Sequence, residues 1–409
     1  MLYLEDRNVS AKTRFFVIII VVSEGMGFML RLPVKNLKKG MIVAQSIYNH
    51  HGGSYLVKGS AITPEYIHQL KKIGIPTVNV TSADPSFQLQ PPEDVVQETT
   101  RIDAIQHVYE AFQNVEQEGR LDAQAMETVS DNIIRDIIQR KENLVQLTDI
   151  RLHDTYTFAH SVNVAILSAM LGMLCRYTRK DMNILTLGAL LHDLGKIDVS
   201  TRILTKNTRL TDSEFAEIKS HPEKGAEHIH EMDHELPSTS ILAAIAREHH
   251  EHIDGRGYPR GLQGDEIHRF AKIVAIADVY DALTSERPYK KAYTPNVAYN
   301  IMKNVNVGQF DPDLLDLFFN NVAIYPVGTI LKTDYGYAIV KKCEFGKTEA
   351  PTIVLFANLE GRLIPKAETI DLAAEPRGAK LIQMVVADNE LRHFIHELSV
   401  DPSQYLREA

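Results

Sequence analysis

The stretch Leu191-His192-Asp193-Leu194-Gly195-Lys196 decides how this chain is interpreted. A His-Asp pair says little by itself, but this pair lies within a series of imidazoles and carboxylates in segments of helical pattern. The members of the series are His160, His192, Asp193, His221, His249, His250 and Asp278. Imidazole and carboxylate groups are common ligands of divalent transition metals. So many of them together indicate a two-metal hydrolytic site.

The positions of these residues relative to the predicted helices favour convergence. His160 opens an apolar helix, His192 closes another, and Gly195 then breaks the pattern. Asp278 and Asp281 lie three residues apart, on one face of a third apolar helix. A buried carboxylate is costly unless it is paired or coordinated. We therefore expect Asp278 to bind metal, and Asp281 either to bind metal or to orient a metal ligand.

Two adjacent histidines, His249 and His250, precede the loop Asp254-Gly255-Arg256-Gly257-Tyr258-Pro259. Adjacent side chains on a regular helix point about 100° apart. Both can reach one cluster only if the helix end is distorted or the cluster holds two metals, and this favours two. Gly257 would let the backbone approach a ligand closely. Tyr258 offers a ring for a base or a hydroxyl for a phosphate.

Three cations lie near these ligands in the sequence. Lys196 follows Asp193 by three residues, within reach of a phosphate held by the metals. Arg287 and Lys290 follow the helix of Asp278. An arginine and a lysine beside a metal site can clamp a phosphate, because both donate charged hydrogen bonds. The alternative for each is an ordinary place on the solvated surface.

Composition limits the classes of function. The chain has 409 residues, of which 44% are hydrophobic, and this is enough for two or three domains. A net charge of −9 argues against a nucleic-acid partner, which would need a basic surface. The two cysteines cannot form a disulfide framework and are predicted to be free thiols in a reducing cytoplasm.

The apolar run at residues 15–22 has eight residues, whereas a membrane helix needs about 20. We therefore expect no membrane span. A short anchor and a strand are two alternatives for this run. We favour a third for residues 1–29, a non-native or disordered extension, because Met26 and Met29 precede a regular pattern that begins at Leu30.

The remaining chain divides into four segments by pattern. These are a small α/β domain at 30–82, a linker and helical pair at 83–147, a helical segment with all the ligands at 148–322, and a β-rich subdomain at 323–409. Gly119 is expected to separate the two helices of the pair. Their apolar stripes predict core packing, and a homodimer seam is the alternative.

Finer patterns support this division at both ends of the chain. Strands are predicted at 41–43, 55–57 and 77–80, and a helix begins at Pro64. In the last segment, the turn Asp334-Tyr335-Gly336 predicts a β-hairpin. Residues 353–356 and 381–386 are two further strand candidates of that segment.

The motifs resemble those of the HD-GYP family of bacterial cyclic di-GMP phosphodiesterases, a branch of the HD metal-dependent phosphohydrolases. The matching stretches are His160-Ser161, 192–196, His249-His250-Glu251 with 254–259, and 278–284 with Arg287-Pro288-Tyr289. The likeness covers about residues 148 to 320. Residues 30–82 also look like a small domain of unknown function that often precedes such catalytic domains. The fold class expected is mainly α, with an all-helical HD-type catalytic domain, a small N-terminal α/β domain and a C-terminal β-rich appendage.

The resemblance implies hydrolysis of cyclic di-GMP to linear pGpG, and in some members on to GMP. Carried over by motif, one metal would be held by His160, His192, Asp193 and Asp278, and the other by Asp193, His221, His249 and His250. Lys196, Tyr258, Arg287 and Lys290 match positions that contact the nucleotide. Some members bind a third metal through a glutamate where this chain has Tyr156. We therefore expect two divalent ions, Fe or Mn.

The mechanistic hypothesis is that a hydroxide between the two metals attacks the phosphodiester phosphorus. Lys196 and Arg287 would stabilise the non-bridging oxygens, and Asp281 would orient a histidine or receive a proton. One alternative is an HD phosphohydrolase for another nucleotide, against which the Gly-Tyr-Pro loop argues. The other is a cyclic-di-GMP-responsive binding protein with little turnover, against which the full ligand set argues. A homodimer and signalling protein partners stay open.

Overall fold

The computed structural model describes the greater part of the chain. The described residues are 30–34, 37, 39–43, 47–48, 54–72, 77–81, 95–140, 156–206, 208–232, 234, 236–285, 293–327 and 329–386. The extension predicted for residues 1–29 lies outside them. Within the described ranges, no helix combines the length and the apolar character that a bilayer crossing requires.

Helices make up most of the regular structure. The α-helices of the described ranges are α1 (Pro64–Lys72), α2 (Glu98–Glu118), α3 (Ala123–Gln139), α4 (Tyr156–Leu174), α5 (Arg179–Leu191), α6 (Thr201–Leu204), α7 (Asp212–Ile218), α8 (His221–Glu231), α9 (Thr239–Glu248), α10 (Arg269–Thr284), α11 (Pro295–Asn300) and α12 (Pro312–Phe319). Short 3-10 helices cover Leu194–Asp198, Gly264–Glu266 and Gly378–Leu381, and a π-helical turn covers Ile301–Val305.

Helix α4 lies in the core of the helical part. Every residue from Ala159 to Gly172 is buried, including the polar side chains of His160 and Asn163. Helices α5 and α10 pack along α4, α9 packs against α5, and α8 packs against α9. A helix that is apolar on nearly every face is stable only when it is surrounded in this way. The polar residues on α4 therefore depend on partners from the neighbouring helices.

The helical pair α2 and α3 packs on the same core. Gly119 ends α2 with a left-handed φ of 65°, as the sequence predicts. The Asp122 side chain accepts a hydrogen bond from Ala125 N–H and begins α3. The apolar stripes, which belong to the one large core cluster, consist of Ile105, Val108, Phe112, Val115, Met126, Val129, Ile133 and Ile137. The burial of these residues within the chain agrees with the prediction of core packing.

Residues 30–81 form a small α/β unit. Strands β1 (Leu30–Pro33), β5 (Thr77–Thr81) and β2 (Ile42–Val43) form an antiparallel sheet in that order, and β3 (Ile47–Tyr48) pairs with β4 (Ser54–Leu56). Helix α1 begins at Pro64, as predicted. The sequence did not reveal β1 or β3, and the two residues of β3 are too few to show a period.

The C-terminal part is a five-stranded antiparallel sheet. Its strands, in spatial order, are β10 (Ile382–Val385), β6 (Ile330–Thr333), β7 (Gly336–Lys342), β8 (Thr352–Ala357) and β9 (Leu363–Asp371). The predicted hairpin is β6–β7, in which Thr333 pairs with Gly336. Strand β9 was not predicted, because lysine and glutamate interrupt its apolar alternation. The mainly α fold class with two β-containing ends is confirmed.

Candidate metal centre

The predicted ligands lie on five helices or at their ends. His160 is the fifth residue of α4, and Asp278 lies within α10. His192 is the C-cap of α5, and Asp193 follows it directly. His221 is the first residue of α8, and His249 is the C-cap of α9 with His250 after it. Helix ends expose side chains to a common region while the helix bodies hold their positions.

The structure brings all seven predicted ligands together. Three overlapping groups each have ligand atoms within 4.8 Å of one another; they are His160 with His192 and Asp278, His192 with Asp193 and His249, and His221 with His249 and His250. The groups share members, so they form one continuous cluster. All of these residues are buried except His250, which is partly exposed.

Asp193 lies between the two ends of this cluster. Its Oδ2 atom lies 3.4 Å from His192 Nε2 and 3.8 Å from His160 Nε2. Its Oδ1 atom lies 3.4 Å from His221 Nε2 and 3.9 Å from His249 Nε2. One carboxylate thus faces two different sets of histidines with its two oxygens, as a bridging ligand would.

Three of the histidines have the same hydrogen bond, from Nδ1 to the carbonyl three residues earlier in the chain. The pairs are His192 with Ala189 at 2.7 Å, His221 with Ile218 at 2.6 Å and His249 with Ala246 at 2.8 Å. A carbonyl only accepts, so Nδ1 carries the proton and Nε2 keeps its lone pair. In each ring the lone pair points into the cluster. This arrangement orients an imidazole for metal binding.

The Nε2 atom of His192 is fully buried and has no hydrogen-bond partner among the described residues. A buried hydrogen-bond acceptor without a partner destabilises the fold. A metal ion bound at Nε2 of His192 would remove this cost. Burial lowers the pKa of His192, lowers that of His221 to about 3 and lowers that of His250 to about 4. These rings are therefore neutral at pH 7, which is the form that binds metal. The donor set fits divalent cations.

His160 differs from the other histidines because carboxylates contact both of its nitrogens. Nε2 lies 3.0 Å from Asp278 Oδ1, and Nδ1 lies 2.7 Å from Asp281 Oδ2. Burial lowers the pKa of His160, but these two hydrogen bonds outweigh it and raise the pKa to about 9. Burial alone would raise the pKa of Asp278, but the hydrogen bond to His160 holds the pKa of Asp278 well below its usual range. Asp281 is thus placed to orient His160.

Lys196 connects the cluster to solvent. Its Nζ atom lies 2.5 Å from Asp193 Oδ2, and its side chain is 23% exposed while that of Asp193 is 1% exposed. Burial alone would raise the pKa of Asp193, but the charge of the nearby Lys196 ammonium group is the main cause that holds it well below the usual value. The ammonium group therefore lies at the edge of the cluster, where an anionic ligand would enter.

Tyr258 lies against the same edge. Its ring stacks on that of His250, with centroids 4.8 Å apart and planes at 27°. Lys219 Nζ lies 4.8 Å from the centroid of the Tyr258 ring. A Cβ atom at Gly257 would lie 2.5 Å from Glu251 Cα. In contrast to the expectation from sequence, the chain's own backbone fills the space beside Gly257, so that space is not open to a ligand.

Two predicted phosphate contacts, Arg287 and Lys290, lie outside the described residues. The side chain of Tyr156, where a third metal ligand would stand, also lies outside them.

Two buried glutamates on either side of the histidine pair were given no role from sequence. Glu248 contacts Arg260 Nη2 at 2.6 Å and His268 N at 2.7 Å. Glu251 accepts hydrogen bonds from the backbone N–H groups of Arg260 at 2.7 Å and Leu262 at 3.0 Å. Together they tie the Gly-Tyr-Pro loop to the end of α9. Their spacing of three residues was the signal that could have revealed them.

Asn163 is a further site residue that sequence reasoning missed. It lies one turn after His160 on α4 and donates from Nδ2 to Asp281 Oδ1 at 2.9 Å. Its oxygen accepts from Arg101 Nη1 at 3.0 Å. A polar residue three positions after a ligand, in an otherwise apolar helix, was the available signal for Asn163. Nothing local in the sequence points to Arg101.

Comparison with known proteins agrees with this geometry. The sequence profile of the family described as HD domain matches residues 132–314. A cyclic di-GMP phosphodiesterase of Pseudomonas aeruginosa is 29% identical over 84% of this chain and 88% of that protein. A 3′3′-cGAMP-specific phosphodiesterase of Vibrio cholerae is 37% identical over 39% of this chain and 34% of its own length. A cyclic di-GMP phosphodiesterase response regulator of Xanthomonas campestris is 35% identical over 44% of this chain and 47% of its own length.

The chain thus spans most of the first of these relatives and less than half the length of the other two. The range of the HD domain match encloses every residue of the cluster. Residues 132–314 therefore match the HD domain family, and the chain as a whole is similar to cyclic di-GMP phosphodiesterases of the HD-GYP type.

Proposed function

We propose that this chain is a metal-dependent phosphodiesterase that hydrolyses cyclic di-GMP to linear pGpG. The single observation that carries this proposal is the position of Asp193, whose two oxygens face two different sets of histidines. Two relatives of this chain are named as cyclic di-GMP phosphodiesterases. The proposal includes further hydrolysis of pGpG to GMP, and identification of the reaction products decides whether this second step occurs.

Two divalent ions, Fe or Mn, fit the donor set. One would lie among His160, His192 and Asp278, and the other among His221, His249 and His250, which are two of the groups with closely spaced ligand atoms. Asp193 lies between them and would contact both. Nitrogen-rich sites with carboxylates suit these metals, and the choice between the metals depends on supply as well as geometry.

Bound divalent ions would activate water as a nucleophile and neutralise the charge of the phosphate. The chain's own residues prepare the place for this chemistry. The carbonyl of Ala189 holds the Nδ1 proton of His192, and Asp281 holds the ring of His160, so both rings keep one orientation. Preorganised groups lose no free energy to reorganisation when the reaction occurs.

The substrate phosphate would be bound at the exposed edge of the cluster. Lys196 Nζ lies there, within 2.5 Å of Asp193, and can donate to a non-bridging oxygen. We extend this role to Arg287 and Lys290 on the ground of their motif positions. Tyr258 would hold a guanine base, because it presents an aromatic ring at this edge of the cluster, where it stacks on His250. Gly257 allows the tight loop that presents Tyr258.

The test is anaerobic purification with metal analysis, followed by hydrolysis assays with product chromatography. Cyclic di-GMP and 3′3′-cGAMP are compared, since relatives are named for both. We expect about two ions per chain, release of pGpG, and loss of both metal and turnover in His192→Ala with Asp193→Ala. His228→Ala is the matched control, because His228 pairs with Asp198 outside the cluster. Protein that holds two ions but hydrolyses neither nucleotide would instead be a binding protein.

The domain limits are also proposals. We assign catalysis to 148–322, with 30–82, the helical pair of 83–147 and 323–409 as accessory parts. A cytoplasmic location rests on Cys175 and Cys343, which are both free thiols in the structure. Signalling partners and a homodimer would use surfaces other than the buried stripes of α2 and α3.

A further inference from the structure

Four buried side chains connect α2 to the metal centre. Arg101 Nη1 lies 3.0 Å from Asn163 Oδ1, and Asn163 Nδ2 lies 2.9 Å from Asp281 Oδ1. Asp281 Oδ2 lies 2.7 Å from His160 Nδ1. The exposed fractions of these residues are 7% for Arg101, 3% for Asn163, and 4% for Asp281 and His160. The series therefore runs through the interior and ends on a predicted metal ligand.

The chemistry of the groups fixes the direction of every bond. A guanidinium group only donates, and an ionised carboxylate only accepts. Asn163 must therefore present its oxygen to Arg101 and its NH₂ group to Asp281. Without Arg101 the buried amide oxygen of Asn163 would lose its charged donor, and the side chain would be held less firmly against Asp281.

Asp281 passes this orientation on to His160. Its Oδ1 atom accepts from Asn163 Nδ2 and from Ser285 Oγ, at 2.9 and 3.0 Å. Oδ2 accepts the Nδ1 proton of His160, so Nε2 faces Asp278. If the Asp281 carboxylate rotated and accepted hydrogen bonds from other donors, the imidazole of His160 would lose the hydrogen bond that fixes the plane of its ring.

Arg101 is itself held in place by the packing of α2 on α3. The Asp136 side chain on α3 accepts from the backbone N–H of Gln97 at 2.8 Å, and Gln97 O accepts from the backbone N–H of Arg101. Burial of an arginine is costly unless charged or polar groups pair with it. An arginine on the exposed face of α2 would stabilise the helix equally well without the cost of burial. The buried position of Arg101 therefore indicates that its guanidinium group has a role in the interior of the protein.

We infer that Arg101 is a positioning residue for His160 and that it acts through Asn163 and Asp281. It lies ahead of residue 132, where the HD domain match begins, so the segment in front of the matched domain completes the metal centre. The inference rests on the proposed function in one respect, namely that His160 binds metal.

The test is a titration of the metal-free full chain with Mn²⁺, monitored by calorimetry, with the unfolding midpoint and the hydrolysis rate measured in parallel. Removal of a partner behind a metal ligand usually weakens metal binding about 10–100-fold. We expect Arg101→Met to weaken one of two Mn²⁺ binding events by that factor and to leave the other unchanged. Arg101→Lys, which keeps a donor, should restore most of the affinity.

Two further variants test whether Arg101 acts on His160 through Asn163. Asn163→Leu should weaken the same binding event, and Arg101→Met combined with Asn163→Leu should be no weaker than Asn163→Leu alone, because both act through one bond. Arg179→Met is the matched control, since Arg179 joins Asp131 at the surface and is 46% exposed. If Arg101→Met does not fold, Arg101→Lys and Asn163→Leu still carry the test.

Three outcomes would overturn the inference: unchanged Mn²⁺ affinity in Arg101→Met, an equal loss at both binding events, or additive effects in the double variant. Protein that binds two Mn²⁺ ions but hydrolyses no cyclic dinucleotide would contradict the proposed function alone. In that case the expected loss of affinity in Arg101→Met would still support the positioning role.

Discussion

Oδ1 of Asp193 lies 3.4 Å from Nε2 of His221, although Asp193 lies just after α5 and His221 begins α8. The other oxygen of the same carboxylate faces His192 and His160. This division of one side chain between two groups of histidines makes Asp193 the residue on which both halves of the cluster depend.

We expect Asp193→Ala to lose both metal ions and His221→Ala to lose mainly one. Loss of a shared ligand should lower affinity by more than about a hundredfold, the upper end of the range for partners behind a ligand. Metal analysis after dialysis, with hydrolysis measured on the same samples, checks this. Asp198→Ala is the control, because the Asp198 side chain pairs with His228 on α8, outside the cluster. Two retained ions in Asp193→Ala would show that the carboxylate is not shared.

Metal binding should release a proton from His160. Without metal its pKa is about 9, because the bonds to Asp278 and Asp281 outweigh the lowering by burial. Metal needs the free Nε2 lone pair, so Mn²⁺ affinity should rise with pH up to about 9. His221, with its pKa lowered by burial to about 3, adds no such proton. Calorimetry at pH 7.5 in two buffers of different ionisation enthalpy measures the proton count. A count of zero would contradict the assignment.

The same shift affects stability. The folded pKa of His160 lies above its unfolded value of about 6.5, so protonation stabilises the metal-free fold. This contribution is complete below about pH 6.5 and is lost as the pH rises through about 9. Urea unfolding of metal-free protein should therefore show a decrease in stability across this window. The decrease should be absent in His160→Ala.

Gly195→Ala should disrupt the site through the backbone. A Cβ atom there would lie 2.1 Å from the carbonyl oxygen of His221 and 2.4 Å from Gly225 N, so α8 would have to move. We expect a loss of about 1–3 kcal/mol in the free energy of unfolding, with weaker metal binding. Gly172→Ala is the control, because the nearest atoms to its Cβ would belong to side chains, with the end of Leu185 at 2.8 Å, and not to backbone. Normal metal affinity in Gly195→Ala would mean that α8 adapts without moving His221.

Glu251→Gln should loosen the Gly-Tyr-Pro loop without removing metal. The amide keeps one acceptor oxygen, so one of the two N–H groups that now bond to Glu251 loses its partner. An unsatisfied buried group costs about 1–3 kcal/mol. We expect a higher KM for cyclic di-GMP at unchanged metal content. Glu231→Gln, at an exposed position, is the control. Loss of metal in Glu251→Gln would instead give this residue a direct part in the cluster.

Tyr258→Ala should raise KM more than Tyr258→Phe. Stacking of a base on an aromatic ring contributes about 1–3 kcal/mol, and phenylalanine keeps the ring. Burial raises the pKa of Tyr258, so its hydroxyl stays protonated in the working range of pH. Steady-state kinetics with both variants check this, and metal content serves as the control measurement. Equal KM values for the two variants would show that the ring does not bind the base.

Local patterns were sufficient for a large part of the site. The types of ligand and their positions at helix ends follow from the sequence near His192, His249 and Asp278, because a helix end depends on residues within a few positions. The hairpin at Asp334 was predicted for the same reason. In contrast, β3 and β9 were not predicted, since their pairing depends on partner strands and not on their own alternation.

By itself, the sequence determined which side chains could bind metal and on which helices they lie. Only the tertiary structure decided which oxygen of Asp193 faces which histidine, and that Arg101 reaches Asn163 from another helix. The physical reason is the distance along the chain over which each interaction acts. Helix formation and helix ends are set by neighbours along the chain, whereas the orientation of a buried side chain is set by donors and acceptors that packing brings from distant segments.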